Sequence, residues 1–257
     1  MSLTSLAVKI AAPLPEIESF DSFLFIGPHP DDIEIGAGAT AAKLAEKGKR
    51  LTFLICMDGR FGDGFVDGSI SAEELAEFRR NEAISSARAL GVEDVRFLEL
   101  SDGGLYENTE LMRGIMKVIG ETKPQVIFAP DPCVKSECHS DHLNVGDAAR
   151  RAAYFAPYPS LCSAWGCGSA DVAALAYYMT ARPNRYVKLE KKHLQLQSEA
   201  IFDCHKTQFP PDSAQGKIIA LYLKIRAIDF GLRCFARHAE GFRVLGTTHM
   251  HCLPEAE

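Results

Sequence analysis

The most constraining feature of the sequence is the alternation of short apolar runs with longer segments of helical periodicity. Four runs predict strands at residues 23–26, 51–57, 95–100 and 126–129, and the run at 51–57 has the continuous apolar character of a strand that a parallel sheet buries on both faces. Helical patterns separate them at residues 39–47, 71–90 and 110–121. Strand–helix–strand repetition implies right-handed crossovers. We therefore expect an α/β fold with a Rossmann-like, mostly parallel sheet and helices on both faces.

The second half of the chain is less regular. Residues 174–180 and 186–189 predict two strands separated by the turn signal Pro183-Asn184, and residues 191–204 and 213–230 predict helices. Neither an internal repeat nor a low-complexity tract or linker interrupts the pattern. The sequence therefore predicts a single domain over residues 1–257.

Charge and hydropathy limit the class of partner. The chain has 257 residues, a formal net charge of −6 and eight cysteines. That charge argues against a basic surface for nucleic acid, and no polybasic cluster favours anionic lipid. Neither an apolar run of ~20 residues for a membrane span nor a secretory signal is recognisable. We expect a cytoplasmic protein with reduced cysteines and a small-molecule substrate, and neither nucleic acid nor membrane as a partner.

Two groups of metal-ligating residue types follow predicted strands. His29, Asp31 and Asp32 come after the first strand, and His139 and His142 come after the strand at 126–129. Sites in open α/β sheets lie beyond the carboxyl ends of the strands, so the two groups are expected to meet. Two histidines and one carboxylate are a usual catalytic zinc set, and they also hold ferrous iron. A spare carboxylate beside the metal can accept a proton from water.

Simpler interpretations remain open for each group and for the nearby glycines. Asp31 and Asp32 could cap the following helix, and the two histidines could lie in a solvated loop. Residues 36–41 match the dinucleotide fingerprint G-x-G-x-x-A, with Asp58 at the position of a ribose-binding acid. However, these glycines do not follow the strand directly, and acidic residues precede them. We interpret them as allowing close packing of a helix on the sheet.

The two groups together resemble a known family. Pro28-His29-Pro30-Asp31-Asp32, followed by His139-Ser140-Asp141-His142, is similar to the PIG-L/LmbE-like de-N-acetylases. Further family-like segments are Asp58-Gly59, His205-Lys206-Thr207-Gln208 and Ala239-Glu240-Gly241-Phe242. These segments span most of the chain.

The resemblance implies a function and a role for each matching residue. It implies a hydrolase that removes the N-acetyl group from an N-acetylglucosamine-type conjugate, with Zn²⁺ as the cofactor and Fe²⁺ as the alternative. Its implied site residues are His29, Asp32 and His142 as metal ligands, Asp31 as general base, His139 as acid or electrostatic stabiliser, Asp141 as the group that orients His139, and Arg79 as a substrate contact, with Arg80 beside it as the other candidate.

Two other functions and several segments stay open. The same centre could hydrolyse a different amide, or the chain could be a non-catalytic nucleotide-binding module. We also expect a homo-oligomer. The loop at residues 59–65, the segment at 154–168 and the residues His249 and His251 receive no firm role from the sequence.

Overall fold

The computed structural model describes residues 3–251 and 253 and contains a seven-stranded sheet. The strands are β1 Ser22–Gly27, β2 Arg50–Met57, β3 Asp94–Leu100, β4 Val126–Pro130, β5 Ala174–Tyr178, β6 Arg185–Leu189 and β7 His238–Gly246. The α-helices are α1 Leu3–Ala11, α2 Asp32–Glu46, α3 Ala72–Ala89, α4 Asn108–Thr122, α5 Ser140–Phe155, α6 Pro159–Trp165, α7 Lys191–Glu199 and α8 Ala214–Arg233. The predicted fold class is confirmed.

The strand order explains where a site can form. The order across the sheet is β3-β2-β1-β4-β5-β7-β6. The first five strands in this order are parallel, and β7 pairs antiparallel with both β5 and β6. The chain therefore leaves β1 toward one edge and returns to place β4 on the other side of β1. A crevice opens at such a switch point, beyond the carboxyl ends of β1 and β4.

Helices cover both faces of the sheet. One apolar core joins Phe25, Phe53 and Phe128 to α2 and α3, with the rings of Phe25 and Phe128 stacked at 4.3 Å. The other core joins alternate strand residues such as Leu24 and Leu54 to α4 and α5. Burial on both faces is the reason that these strands have continuous apolar sequences.

Helices with small-residue faces are where the sequence prediction was wrong or incomplete. The helix predicted from residue 39 begins at Asp32, and α5 was not predicted. The buried faces of α2 and α5 consist mainly of alanine and glycine, which give a weak periodic signal. Gly36 shows why this face of α2 needs small residues, because a Cβ there would lie 2.2 Å from the ring of Tyr178 at the end of β5. Both glycines of the fingerprint lie inside α2. The short distance at Gly36 supports the interpretation that they allow this helix to pack closely on the sheet.

Other boundaries also differ from the prediction. The helix predicted over 191–204 ends as α7 at Glu199 and continues as a π-helical turn over Ala200–Cys204. β7 was not predicted, because charged residues and Gly241 interrupt its apolar pattern. Helix α3 begins with a capping box formed by Ser71 and Glu74.

Two findings concern membranes and disulfides. Among the described helices, none is long and apolar enough to cross a membrane. The cysteines within residues 3–251 are all free thiols.

Candidate metal centre

The switch point brings the two predicted groups together. His29 and Asp31 lie in the turn after β1, Asp32 begins α2, and His139 precedes α5, which carries His142. Asp31 has φ of 117°, a left-handed conformation that is rare for a residue other than glycine. Such conformations cost on the order of 1–3 kcal/mol and cluster at functional sites. This turn thus directs both of its carboxylates toward the crevice.

Three side chains converge in a way that fits a divalent metal. The Oδ2 atom of Asp32 lies 3.1 Å from His29 Nδ1 and 3.4 Å from His142 Nε2. The ligand atoms of all three residues lie within 4.8 Å of one another. Two imidazole nitrogens and one carboxylate oxygen are the donor set of many catalytic zinc sites. His29, Asp32 and His142 are therefore the candidate metal-binding residues.

The charges of this cluster also suit a cation. Burial alone lowers the pKa of His29, but hydrogen bonds to the Asp141 and Asp32 carboxylates outweigh it and raise that pKa to about 10. Burial also lowers the pKa of His142, but the Asp32 carboxylate outweighs burial and raises that pKa to about 9. These carboxylates favour positive charge between the two rings, which a proton or a metal ion can supply.

Asp141 does not make the predicted contact with the ring of His139. Its Oδ2 lies 3.9 Å from His139 Nδ1 but 3.0 Å from His29 Nε2. The carboxylate is fully buried and accepts backbone N–H groups of Gly103 and Gly104 at 2.7 and 2.9 Å. These bonds fix the carboxylate beside His29, where it leaves Nδ1 of that ring to face Asp32. The geometry thus corrects the predicted pairing of Asp141 from His139 to His29.

His139 is held in one tautomer. Its Nδ1 accepts the backbone N–H of Asp141 at 3.3 Å, so Nε2 carries the ring proton. Burial, together with the charges of His29 and His142, lowers its pKa from the ordinary value of 6.5. His139 is therefore an uncharged hydrogen-bond donor at pH 7. Almost half of its side chain is exposed, which gives a substrate access to it.

Arg79 lies beneath the site and not on a substrate-facing surface. It is 3% exposed, and its guanidinium donates to the carbonyl oxygens of Pro30 at 2.8 Å and Gly59 at 3.1 Å and approaches Asp31 at 3.4 Å. Arg80 points away, with its guanidinium 4.1 Å from the centre of the Phe97 ring. This differs from the predicted substrate contact of Arg79, because helix α3 turns Arg79 inward against the turn after β1.

Asp31 stands beside the metal-binding residues without joining them. Burial raises its pKa to about 6, although the guanidinium of Arg79 acts in the opposite direction. The pKa of the Asp31 carboxyl group therefore lies close to neutral pH.

Several polar groups of the site were not found from the sequence. Glu137 accepts from Nδ1 of His142 at 3.0 Å, and its place five residues before that histidine, in the loop that leads into α5, was an available signal. Behind the crevice, the fully buried Glu34 contacts His205 Nε2 at 3.3 Å and accepts from Ser86. Only the family-like segment at 205–208 indicated His205, because the partner of its ring, Glu34, lies far away in the sequence on α2.

The open segments also take defined positions. In the loop at 59–65, Gly62 accepts from the side chain of Gln208 at 2.7 Å. Segment 154–168 contains the end of α5 and all of α6. The His251 ring stacks on Tyr154 at 5.5 Å, and His249 accepts the N–H of Gly246. Neither histidine belongs to a metal-ligating group among the described residues.

Comparison with known proteins places this geometry in a family. The sequence profile described as PIG-L: GlcNAc-PI de-N-acetylase matches residues 24–153. The chain is also 32% identical to the diacetylchitobiose deacetylase of Thermococcus kodakarensis, over 99% of this chain and 93% of that protein. It belongs to the PIG-L family.

Other relatives agree with this assignment. A 1D-myo-inositol 2-acetamido-2-deoxy-alpha-D-glucopyranoside deacetylase of Kineococcus radiotolerans is 30% identical over 69% of this chain and 57% of its own length. Among solved structures, the N,N'-diacetylchitobiose deacetylase of Pyrococcus horikoshii superposes with a TM-score of 0.84 at 30% identity, covering 99% of this chain and 97% of that one. These relatives are deacetylases that act on N-acetylglucosamine-type compounds. The predicted family is confirmed.

Proposed function

We propose that this protein is a zinc-dependent hydrolase that removes the acetyl group from an N-acetylglucosamine-type conjugate. The observation that carries the proposal is the convergence of His29, Asp32 and His142 with the carboxylate of Asp31 beside them, in a chain of the PIG-L family. The substrate class is supported by the names of the relatives, which are deacetylases of chitobiose and of a glucosamine-inositol compound.

His29, Asp32 and His142 would hold the metal, and Fe²⁺ is the alternative to Zn²⁺ because both accept this donor set. A divalent ion held there supplies Lewis acidity toward a carbonyl oxygen and increases the acidity of water. Asp141 and Glu137 hold the outer ring nitrogens of His29 and His142 at 3.0 Å each. Carboxylates in this position fix the tautomer and orientation of metal-binding imidazoles.

Asp31 is the proposed general base. A base is most effective when its pKa lies near the working pH, and burial raises the pKa of Asp31 to about 6. Asp31 accepts a proton from water as that water attacks the acetamide carbon. The proton then passes to the nitrogen as the C–N bond breaks, which gives acetate and a free amine.

His139 is the proposed donor to the oxyanion that develops on the acetamide oxygen. Its Nε2–H is directed by the bond from the backbone N–H of Asp141 to Nδ1. Since its pKa is lowered, it stabilises the oxyanion by a hydrogen bond and not as an imidazolium.

The test is free-amine release from a panel of N-acetylglucosamine conjugates and non-sugar acetamides, before and after removal and restoration of the metal. We expect release from the sugar conjugates that stops on chelation and returns with zinc or iron. Asp31→Asn should lower the rate by about 10² to 10⁴-fold while metal still binds. Asp21→Asn is the matched control, because the Asp21 side chain is exposed and pairs with Lys49.

Two outcomes would contradict the proposal. Release from non-sugar acetamides alone would move the activity to a different amide. Full activity of Asp31→Asn would remove the role of Asp31 as general base.

A further inference from the structure

Helix α8 carries an apolar stripe that is exposed to solvent. The stripe consists of large side chains that are between 40% and 97% exposed, and its members are Ile218, Leu221, Tyr222, Ile225, Ile228, Leu232 and, just past the helix, Phe235. The opposite side of α8 packs on β7 through Ala227 and Phe230. The helix thus has one apolar side in the core and a second that no described residue covers.

The stripe is large enough to form one side of a stable interface. Taking about 200 Å² for a fully exposed large side chain, its members expose on the order of 800 Å² together. The largest apolar patch on a typical monomer is about 300–600 Å². A standard interface buries about 800 Å² on each partner. The exposed area therefore matches what one protomer contributes to a stable dimer.

The spacing of the stripe is self-complementary. About a point between Arg226 and Ala227, Ile225 mirrors Ile228 and Leu221 mirrors Leu232. Ile218 mirrors Phe235 in the same way. Two copies of α8 that run antiparallel across a two-fold axis at this point would bring the two members of each of these three pairs to the same height, and Tyr222 alone has no large apolar counterpart. An isologous interface requires this reciprocity, in which residue i contacts j and j contacts i.

We propose that a second copy of this chain docks on the α8 stripe, with the two helices antiparallel across a two-fold axis near residues 226 and 227. The stripe belongs to the antiparallel end of the sheet, where α8 contacts β7 and β6, whereas the metal-binding residues lie beyond β1 and β4. The dimer is therefore independent of the proposed function, and substitutions in the stripe leave the metal-binding residues untouched.

The first test is the molar mass in solution, measured by sedimentation from about 1 to 100 μM. We expect the wild-type mass to be twice the chain mass of 28.1 kDa, or an even multiple of it. Ile225→Glu should lower that mass at least twofold, because it puts a carboxylate at the centre of the interface. Gln215→Glu is the matched control, since it adds the same charge to the exposed first turn of α8. Circular dichroism establishes that each variant is folded.

The second test addresses the antiparallel register. Leu221→Lys and Leu232→Glu should each weaken association, and mixing the two variants should restore a dimer, because Leu221 of one copy faces Leu232 of the other. A wild-type monomer at 100 μM would overturn the proposal. So would an oligomer whose mass Ile225→Glu leaves unchanged, or a monomer that binds anionic lipid vesicles through this stripe.

Discussion

Replacing Asp141 by asparagine distinguishes two pairings of this carboxylate: with His139, as the sequence predicts, and with His29, as in the structure. Oδ2 of Asp141 accepts from His29 Nε2 at 3.0 Å and from the Gly103 N–H at 2.7 Å, and Oδ1 accepts from the Gly104 N–H at 2.9 Å. An amide has only one acceptor oxygen. When the amide nitrogen takes the Oδ2 position, it faces two donors, the Gly103 N–H and the ring of His29, and of these only the ring can change its protonation.

The expected change is a tautomer shift of His29 that weakens metal binding. If the amide nitrogen lies next to His29, the ring can accept at Nε2 only by moving its proton to Nδ1. Nδ1 is the atom that faces Asp32 at 3.1 Å, and a protonated nitrogen cannot ligate a metal. Loss of a carboxylate partner of a metal-binding histidine typically costs 10 to 100-fold in affinity, or about 1.4–2.8 kcal/mol.

The assay is the zinc dissociation constant, measured by competition with a fluorescent chelator. Asp147→Asn is the control, because Asp147 lies on the same helix and its partly exposed carboxylate pairs with Arg150 and Arg151. We expect the constant of Asp141→Asn to rise at least tenfold and that of the control to stay within twofold. An unchanged constant together with a large loss of amine release would refute this reasoning and return Asp141 to the predicted role beside His139.

Two further predictions concern stability, measured as the free energy of unfolding in urea. Gly36→Ala should lower it by about 1–3 kcal/mol, because a Cβ there meets the Tyr178 ring at 2.2 Å, whereas Gly64→Ala, with nothing within 4 Å, should not. His205→Asn should lower it by about 3–5 kcal/mol at pH 6, because it leaves the buried Glu34 carboxylate without its charged partner. Burial lowers the pKa of His205, but Glu34 outweighs it and raises that pKa, so this contribution is complete below pH 6.5 and is lost as the pH rises through the raised pKa. A loss that grows between pH 6 and 9 would contradict the assigned pair.

The sequence predicts most of the sheet because its strands are locally distinct. A strand buried on both faces must be apolar throughout, and β1, β2 and β4 each show that pattern within a few residues of the observed bounds, whereas β3 at the sheet edge is only partly buried and includes Arg96 and Glu99. β7 does not show this pattern, because the charged residues Glu240 and Arg243 interrupt its apolar sequence. The Glu240 carboxylate turns inward and accepts the backbone N–H of Thr40 at 2.7 Å. A polar residue that accepts hydrogen bonds from the middle of a distant helix gives no local sign of a strand.

For the candidate site too, some features follow from the sequence and others depend on packing between distant segments. His29, Asp31 and Asp32 are adjacent in sequence, and His142 follows the neighbouring strand of the sheet, so their meeting follows from topology. The orientation of Asp141 and the burial of Arg79 depend on which way the first turn of α5 and the middle of α3 face. Those rotations are fixed by packing against loops at residues 59–62 and 103–104. The sequence therefore predicts which residues meet, and the structure is needed to pair them.

Arg79 and Asp141 are both buried, and each holds a different part of the crevice in place. Arg79 is buried beneath Asp31 and donates to the carbonyl of Pro30, so it braces the turn in which Asp31 takes its left-handed conformation. Asp141 is buried behind His29 and held by backbone N–H groups. One charged group thus supports the proposed base and another supports a candidate metal-binding ring, and both are buried. Because both of these charged groups are buried, a substrate that enters the crevice can contact only its exposed residues, among which is His139.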